Sequence, residues 1–336
     1  MVVVMEERAT EAQIEQVVAR LVEMGMDVHR STGVTRTVLG AVGQGHPDKA
    51  LLELLDGVHE VLRITEPYKL ASRTFKPEGS VVVVGDVRIG GDEVIVMAGP
   101  CSVESETQMR EVAVAVKASG ARILRGGAFK PRTSPYAFQG LKEQGLKYLA
   151  DARKRTGLPV VTEVLETESV ELVAQYTDIL QIGARNIQNF TLLRRVGEMG
   201  KPVLLKRGMA TSIQEFLLSA EYILAAGNPN VILCERGIRT FETATRFTLD
   251  LNAVPVLKKL SHLPVVVDPS HGTGHWDLVA PMAKGAVACG ADGLIIEVHP
   301  NPAKAVSDGS QTITPAVFVE TMERCRKVAG ALGSVM

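Results

Sequence analysis

One stretch organises this chain: RILRGGAFKPRTSP, residues 122–135. It begins with a short apolar run that is typical of a buried strand, and it continues into a loop that carries Arg125, Lys130 and Arg132 among glycines and prolines. Glycine lets the backbone approach a ligand closely, and proline fixes the path of a loop. A loop of this kind holds its cations in place, which suits recognition of phosphate or carboxylate groups.

The same pattern, a short apolar strand followed by a polar turn and a helical stretch, recurs from Glu93 onward. The predicted strands are Val94–Ala98, Arg122–Leu124, Val160–Thr162, Ile179–Ile182, Val203–Leu205, Val231–Leu233, Val265–Val267 and Gly293–Ile296. The clearest helical patterns are Ser105–Ala118, Leu141–Arg155, Ile213–Ala225 and Asp277–Ala288. Eight parallel strands in about 240 residues predict an α/β fold of the (β/α)8 TIM barrel type. A doubly wound open sheet is the alternative, although no G-x-G-x-x-G follows the first strand.

The first 66 residues predict a separate small unit. Strand and helix patterns alternate there in the order βαββαβ, which is the split ferredoxin-like arrangement. Residues 67–80 contain two prolines, several cations and little periodicity, so we expect a linker. The predicted organisation is a ferredoxin-like domain at 1–66, a linker at 67–80 and the barrel at 81–336, which opens with a hairpin around Gly85-Asp86.

Composition excludes several classes of function. With 336 residues, 46% hydrophobic and 22% charged, the chain has the make-up of a globular protein large enough for two domains. A net charge of −1 provides no general attraction to nucleic acid or anionic membrane. We expect no membrane span, because no apolar run reaches about 18 residues. Four widely spaced cysteines without a C-x-x-C pair favour a reducing, cytoplasmic location.

In a TIM barrel the active site lies at the C-terminal ends of the strands, so the residues that end each strand are the functional candidates. Cations end or follow several strands, and six of them are predicted to meet at one rim: Arg125, Lys130, Arg132, Arg185, Lys206 and Arg236. Cations crowded together repel one another, so this arrangement predicts that anions occupy the space between them. A phosphate with a carboxylate, or two phosphates, would fit.

The remaining residues of the rim can bind metal. Cys101, His271, Glu297 and Asp308 follow the first, seventh and eighth strands, which become neighbours when a barrel closes. A thiolate, an imidazole and two carboxylates can hold one divalent ion, and this mixture of soft and hard ligands leaves Mn2+, Fe2+, Co2+ and Zn2+ all compatible. Taken singly, each of these residues has an ordinary structural explanation. Together they favour a metal site.

The motifs at the strand ends resemble those of the 3-deoxy-D-arabino-heptulosonate 7-phosphate (DAHP) synthase family, type I beta. The matching motifs are Gly99-Pro100-Cys101-Ser102, Leu124-Arg125-Gly126-Gly127, Lys130-Pro131-Arg132-Thr133-Ser134-Pro135, Gln181-Ile182-Gly183-Ala184-Arg185, Leu205-Lys206-Arg207-Gly208, Cys234-Glu235-Arg236-Gly237 and Asp268-Pro269-Ser270-His271. The resemblance runs over nearly the whole chain. The N-terminal unit resembles the regulatory domain of some members.

The resemblance implies condensation of phosphoenolpyruvate with erythrose 4-phosphate, the entry to the shikimate pathway and aromatic amino acid biosynthesis. It implies a divalent metal ion on Cys101, His271, Glu297 and Asp308. The implied phosphoenolpyruvate site consists of Arg125, Lys130, Arg185, Lys206 and Arg236. Arg132 with Thr133 would hold the phosphate of the sugar, and Ala184 is a further candidate for substrate binding. Lys130 is a candidate acid for the new hydroxyl, and Glu163 is a candidate to position water. His275-Trp276 departs from the family pattern, in which a basic residue often stands there.

Two other functions remain open at the level of sequence. 3-Deoxy-D-manno-octulosonate 8-phosphate synthase shares the barrel and the chemistry, but Pro131-Arg132-Thr133 favours the four-carbon aldose. A non-catalytic sensor is the alternative of another class, and the complete set of ligands and cations argues against it.

For the small N-terminal domain we predict a role in feedback control of the enzyme. We expect an effector from the aromatic pathway to bind at its β-sheet or between subunits, with His29 and Ser31 as candidate contacts. The resemblance also suggests a homotetramer.

Overall fold

The structure is a computed structural model that describes residues 1–33, 36–43, 45, 47–131 and 134–336. These residues form two compact units, Met1–Ser80 with Lys259–His262, and Val81–Lys258 with Leu263–Met336. No helix within the described residues combines the length and the apolar character that a membrane crossing requires.

The first unit is a four-stranded antiparallel sheet with two helices. Its elements are β1 (Val2–Met5), α1 (Glu11–Glu23), β2 (Asp27–Thr32), β3 (Thr37–Val42), α2 (Lys49–Glu53) and β4 (Val58–Leu62). The strand order is β2-β3-β1-β4, with β1 antiparallel to both of its neighbours. Helix α1 begins in a capping box, in which Thr10 and Gln13 satisfy each other's backbone N–H groups. The predicted ferredoxin-like order βαββαβ is confirmed.

Both faces of this sheet are covered. Because side chains alternate along a strand, Val3, Met5 and Leu39 face the helices and form a buried core with them. On the opposite face, a Cβ added to Gly40 would lie 2.6 Å from the ring of Phe75. Residues 67–80, expected to be a linker, contain no helix or strand, but the side chains of Tyr68 and Phe75 are buried. This segment is packed chain rather than an exposed connection.

The second unit opens with a hairpin and continues as a barrel. The hairpin strands are β5 (Val82–Val84) and β6 (Val87–Ile89), and the barrel strands are β7 (Ile95–Gly99), β8 (Ile123–Arg125), β9 (Val160–Val164), β10 (Ile179–Ile182), β11 (Val203–Lys206), β12 (Val231–Glu235), β13 (Val265–Val267) and β14 (Gly293–Glu297). The helices are α3 (Glu106–Ala118), α4 (Glu143–Thr156), α5 (Val170–Tyr176), α6 (Phe190–Glu198), α7 (Ile213–Ala225), α8 (Ala253–Leu260), α9 (Pro269–Thr273), α10 (Trp276–Ala288) and α11 (Pro315–Ala331).

The eight strands form a closed parallel barrel, and the alternative of an open sheet is excluded. The last strand pairs in parallel with the first: Gly293 lies opposite Ile95, and Glu297 lies opposite Gly99. This closure places the carboxyl ends of β7, β13 and β14 side by side. It therefore brings together the three strand ends on which the sequence placed the metal ligands.

The opposite end of the barrel is filled with apolar side chains. Val82, Val84, Val87 and Ile89 of the hairpin belong to one buried cluster with inward-facing residues of the barrel strands, among them Ile95. Strand residues that face the inside of a barrel pack in layers, so this cluster is a core and not a channel. The packing leaves the C-terminal rim as the end where polar side chains gather.

Candidate active site

Three candidate metal ligands lie together at the C-terminal rim. The ligand atoms of Cys101, Glu297 and Asp308 all lie within 4.8 Å of one another. The Cys101 thiol donates a hydrogen bond to Asp308 Oδ2 at 3.1 Å. Glu297 ends β14, and Cys101 follows β7, the strand that pairs with it. The closed barrel therefore places the thiol and the two carboxylates around one point.

His271 approaches the same group from β13. Its Nε2 lies 3.6 Å from Glu297 Oε1, while its Nδ1 lies 2.7 Å from Asp268 Oδ2. Asp268 caps the short helix α9 by accepting from the backbone N–H of His271. A carboxylate on one ring nitrogen fixes the orientation of an imidazole and leaves the other nitrogen to face a ligand. In this structure Nε2 faces the cluster.

The backbone at Asp308 is in the left-handed region, with φ of 50°. A side chain at the next position is excluded, because a Cβ on Gly309 would lie 2.3 Å from the Pro302 carbonyl oxygen. Non-glycine residues tolerate this conformation rarely, and asparagine and aspartate tolerate it best. The conformation of this turn directs the Asp308 carboxylate toward Cys101.

Burial and neighbouring charges shift the pKa values of the four side chains in different directions. Burial, reinforced by the charge of Glu297, raises the pKa of the Cys101 thiol to about 12. Burial also lowers the pKa of His271, although Asp268 opposes this. For Asp308 burial acts in the opposite direction, but His271 and the Cys101 hydrogen bond lower its pKa below the ordinary value. Without a bound ion, these shifts and the lowered pKa of Glu297 favour a thiol, a neutral imidazole and ionised carboxylates at neutral pH.

Cations line the cavity beside this cluster. The cavity has a volume of about 240 Å³. Its lining residues are Arg125, Lys130, Pro131, Glu163, Gln181, Gly183, Ala184, Arg185, Lys206, Arg236, Arg246, His271 and Asp308. Every predicted rim cation that the structure describes is in this lining, and so are two of the four predicted metal ligands. Arg185 is exposed, whereas Arg125, Lys130, Lys206 and Arg236 are buried.

Each buried cation is fixed by a different neighbour. Arg125 Nη1 donates to Glu297 Oε1 at 3.0 Å, and Lys130 Nζ lies 3.1 Å from Cys101 Sγ. Lys206 forms an ion pair with Asp268. The Arg236 guanidinium lies over the Phe247 ring, 4.3 Å from its centroid. These contacts hold four positive groups in place before any substrate arrives.

Two of these side chains retain unused donors. Among the described residues, Arg125 Nε and Arg236 Nη1 are buried side-chain nitrogens without a hydrogen-bond partner. A buried donor without a partner is costly in free energy, so its presence in a native structure requires an explanation. An anion in the cavity that both arginines line would supply the missing acceptors.

Glu163 lies across the same cavity. Gln181 Nε2 donates to Glu163 Oε2 at 3.2 Å. A Cβ added to Gly183 would lie 2.0 Å from Glu163 Oε1, so glycine is required there for the carboxylate to occupy this position. The structure therefore places Glu163 in the lining, close to the backbone of Gly183.

Several predicted residues cannot be placed in this site. Arg132 and Thr133 lie outside the described residues. His275 and Trp276 are exposed at the start of α10, and neither belongs to the described lining of the cavity. His29 and Ser31 lie in β2 of the first unit, where both are partly buried.

Sequence reasoning missed three polar residues that organise the site. Asp268 orients His271 and pairs with Lys206. Arg246 and Gln311 contact the carboxylates of Asp308 and Glu297. Asp268 ends a strand and could have been found by the same rule as the ligands. Arg246 and Gln311 lie in long connections, where strand periodicity gives no signal.

The chain matches two protein-family profiles that meet between residues 66 and 67. Residues 1–66 match the DAHP synthase ferredoxin-like domain, and residues 67–332 match the DAHP synthetase I family. The second match covers more than half of the chain, and it includes every strand of the barrel.

Curated relatives are similar over the same regions. Phospho-2-dehydro-3-deoxyheptonate aldolase of Thermotoga maritima is 52% identical over 336 residues, which cover 99% of each chain. 2-Dehydro-3-deoxyphosphooctonate aldolase of Bradyrhizobium diazoefficiens is 36% identical over 263 residues, or 73% of this chain and 93% of the relative. The first relative therefore spans both units, at higher identity.

Solved structures agree with the curated relatives. The crystal structure of phospho-2-dehydro-3-deoxyheptonate aldolase from Thermotoga maritima aligns with a TM-score of 0.80 at 50% identity, covering 99% of this chain and 98% of that one. A truncated form of 3-deoxy-D-arabino-heptulosonate 7-phosphate synthase from the same species aligns with a TM-score of 0.74 at 51% identity, covering 79% of this chain and 98% of that one.

Proposed function

This chain belongs to the DAHP synthetase I family, and we infer from this membership and from the rim of its barrel that it is a DAHP synthase. It condenses phosphoenolpyruvate with erythrose 4-phosphate and water to give 3-deoxy-D-arabino-heptulosonate 7-phosphate and phosphate, the first step of the shikimate pathway. The observation that carries this conclusion is the cavity in which the unpaired nitrogens of Arg125 and Arg236 belong to the same lining as His271 and Asp308.

We propose that the buried cations bind phosphoenolpyruvate. Arg125, Lys206 and Arg236, each no more than 6% exposed, offset the charge of its phosphate and carboxylate. Charge-assisted hydrogen bonds are stronger in such a site than in bulk water. Arg185 and the backbone around Ala184 complete the pocket at its exposed side. Arg132 and Thr133 would hold the phosphate of erythrose 4-phosphate, as the family motif implies.

The donor atoms at the rim fit a divalent transition metal ion. A thiol, an imidazole nitrogen and two carboxylates converge, and the thiol and the carboxylates are close enough to share one ion. We propose Cys101, His271, Glu297 and Asp308 as its ligands. When bound, such an ion supplies Lewis acidity that polarises the aldehyde oxygen of the sugar.

The reaction balances without a redox partner. Carbon 3 of phosphoenolpyruvate forms the new bond to the aldehyde carbon, whose oxygen takes a proton and becomes a hydroxyl. Positive charge develops at carbon 2, and water adds there and loses one proton. The C–O bond to phosphate then breaks as the new hydroxyl loses its proton to the departing phosphate, which leaves a ketone at carbon 2. The side chains of the rim contribute mainly by orienting both anions.

We propose that two residues, Lys130 and Glu163, move or guide protons. Burial alone would lower the pKa of Lys130, but Cys101 and Glu297 raise it above the ordinary value. The ammonium therefore stays protonated, and we propose that it supplies the proton of the new hydroxyl. Glu163, held by Gln181, is proposed to position the water that adds to carbon 2.

The choice of aldose tests this proposal. Phosphate release is measured with phosphoenolpyruvate, added Mn2+ and either erythrose 4-phosphate or arabinose 5-phosphate. We expect release with the four-carbon sugar and little with the five-carbon sugar. The opposite preference would assign the protein to the activity named for the 36% identical relatives, and no release with either sugar would refute both.

We also propose that the first unit is a regulatory domain in a cytoplasmic homotetramer. The supporting observations are the family profile of residues 1–66 and the partly buried pair His29 and Ser31 on β2. An effector from the aromatic pathway would bind there. The test is inhibition by tyrosine, phenylalanine and tryptophan in His29→Ala and Ser31→Ala variants, with exposed His59→Ala as the matched control. Loss of inhibition in the first two alone supports the site, and unchanged inhibition refutes it.

A further inference from the structure

Two side chains that contact the candidate metal ligands have no role in the proposed chemistry, although Arg246 also lines the cavity. Gln311 is 1% exposed, and it lies three residues beyond Asp308. Arg246 lies in the connection between β12 and α8, far from Gln311 in sequence. Arg246 Nη1 donates to Gln311 Oε1 at 2.7 Å, so the two residues form one polar unit.

Gln311 fixes one oxygen of Glu297. Its Nε2 donates to Glu297 Oε2 at 2.7 Å, while the other oxygen, Oε1, accepts from Arg125. The oxygen and nitrogen of the Gln311 amide cannot exchange positions. The exchange would place its N–H groups against the Arg246 donor and its oxygen against the Glu297 carboxylate, and both contacts would be repulsive. Both oxygens of Glu297 are thus held in place, and Oε1 is the one turned toward His271.

Arg246 fixes the second carboxylate in the same way. The nitrogen that contacts Gln311 also donates to Asp308 Oδ1, at 3.1 Å. Oδ2 is left to face the Cys101 thiol. One guanidinium nitrogen therefore orients both carboxylates of the cluster, Asp308 directly and Glu297 through the amide of Gln311.

We propose that Arg246 and Gln311 form a clamp that positions the ligating oxygens of Asp308 and Glu297. The clamp presents one oxygen of each carboxylate to the ion, beside Cys101 and His271. Partners behind metal ligands commonly contribute about 10- to 100-fold to metal affinity. This inference rests on the proposed metal-dependent function and deepens it, because it names residues that determine how tightly the ion is held.

Whether metal affinity rises or falls when Arg246 is replaced distinguishes a positioning role from a purely electrostatic one. Removing the positive charge of Arg246 beside a cation site would tighten metal binding if the charge alone acted, because like charges repel. A positioning role predicts the opposite, weaker binding. Gln311 carries no charge and lies outside the described lining of the cavity, so its replacement tests the same role without changing the electrostatics of the substrate pocket.

The experiment measures Co2+ binding to the full-length, metal-free protein. The sulfur-to-cobalt charge-transfer absorption reports ligation by Cys101, and Cys101→Ser identifies the band. The variants are Gln311→Leu and Arg246→Gln. Arg239→Gln is the matched control, since it removes the same charge from an exposed residue of the same connection. Circular dichroism and thermal unfolding establish which variants are folded.

We expect Co2+ affinity to fall about 10- to 100-fold in both variants and to stay unchanged in the control. At saturating metal, Gln311→Leu should recover turnover with unchanged KM for both substrates. If Gln311→Leu does not fold, Arg246→Gln decides, because its side chain is 37% exposed. Affinity that is unchanged or higher in a folded variant, or that falls equally in the control, overturns the clamp. Absence of any band dependent on Cys101 in the parent protein overturns the metal site itself.

Discussion

The surface of the first unit and the rim of the barrel hold their charged side chains in opposite surroundings. In the first unit, Arg30 and Glu11 pair on the surface, and Arg20 and Glu23 do the same. At the rim of the barrel, Arg125 pairs with Glu297, and the side chains of both are no more than 5% exposed. Exposed pairs add little to stability, whereas buried charges are costly unless every partner is in place.

The difference shows where function lies. Folding that served stability alone would not collect cations, carboxylates and a thiol at one buried point, since apolar residues of similar volume often stabilise as well or better. The rim buries these charged groups despite the free-energy cost of desolvation, and Arg125 and Arg236 each keep a donor without a hydrogen-bond partner. If the contrast holds, substitutions at the rim should have larger effects than substitutions on the surface of the first unit.

The largest effect concerns the proposed proton donor. Lys130→Met should lower kcat by about 100- to 10,000-fold, because the ammonium beside Cys101 can no longer supply a proton. Steady-state phosphate release with both substrates measures this. Lys147→Met, on the exposed face of α4, is the control and should retain full turnover. Turnover of Lys130→Met equal to that of the parent would remove Lys130 from the mechanism.

Asp268 should dominate the stability of the rim. Asp268→Asn leaves Lys206 without its ionic partner and weakens the contact with His271 Nδ1, so we expect the free energy of unfolding to fall by about 3–5 kcal/mol. Urea unfolding followed by circular dichroism measures the change. Asp151→Asn breaks exposed pairs with Arg110 and Arg155, and its curve should overlay that of the parent. Equal effects of the two substitutions would contradict the contrast between buried and exposed charge.

His262 differs from the exposed charged residues of the first unit, because it is titratable and buried. It lies between Ser80 Oγ and the Leu70 carbonyl oxygen, and burial lowers its pKa to about 4. Below pH 6.5 the unfolded chain binds a proton that the folded chain excludes. Stability should therefore fall by about 3 kcal/mol as the pH drops from 6.5 to 4.

The measurement for His262 is urea unfolding across this pH range in the parent and in His262→Gln. The variant should lack this part of the pH dependence, and exposed His59→Gln should keep it. Parallel profiles in the parent and in His262→Gln would show that His262 does not carry the effect.

The smallest effect should come from the surface of the first unit. Arg30→Gln removes the ion pair with Glu11, in which the Arg30 side chain is 35% exposed and the Glu11 side chain is 66% exposed. We expect the midpoint of urea unfolding and the turnover to match those of the parent within error. A clear loss of stability would show that exposed pairs matter in this unit and would weaken the comparison.

Much of the architecture could be predicted from the sequence, because the spacing of apolar residues indicates which side of a helix or strand is buried. Strands Ile179–Ile182 and Val265–Val267 and helix Ile213–Ala225 have the predicted bounds. The short α5 (Val170–Tyr176) and the long α11 (Pro315–Ala331) were not assigned. Helices α4 and α7 gave clear patterns because each presents a continuous apolar face, whereas α5 has room for only two turns.

The site was only partly readable, for a physical reason. Residues that end strands are brought together by barrel closure, so their proximity follows from the fold. Arg246 and Gln311 reach the cluster through the paths of long connections, which no periodicity encodes. The packing of Phe75 against Gly40 was missed for the same reason, since residues 67–80 contain no helix or strand.

The most direct test of the account is to locate the metal ion. Crystals grown with Mn2+ and phosphoenolpyruvate would be measured at the absorption edge of manganese. We expect one anomalous peak in contact with Cys101, His271, Glu297 and Asp308, with phosphoenolpyruvate against Arg125 and Arg236. A peak elsewhere, or one that leaves Cys101 and His271 without contact to the ion, would contradict it.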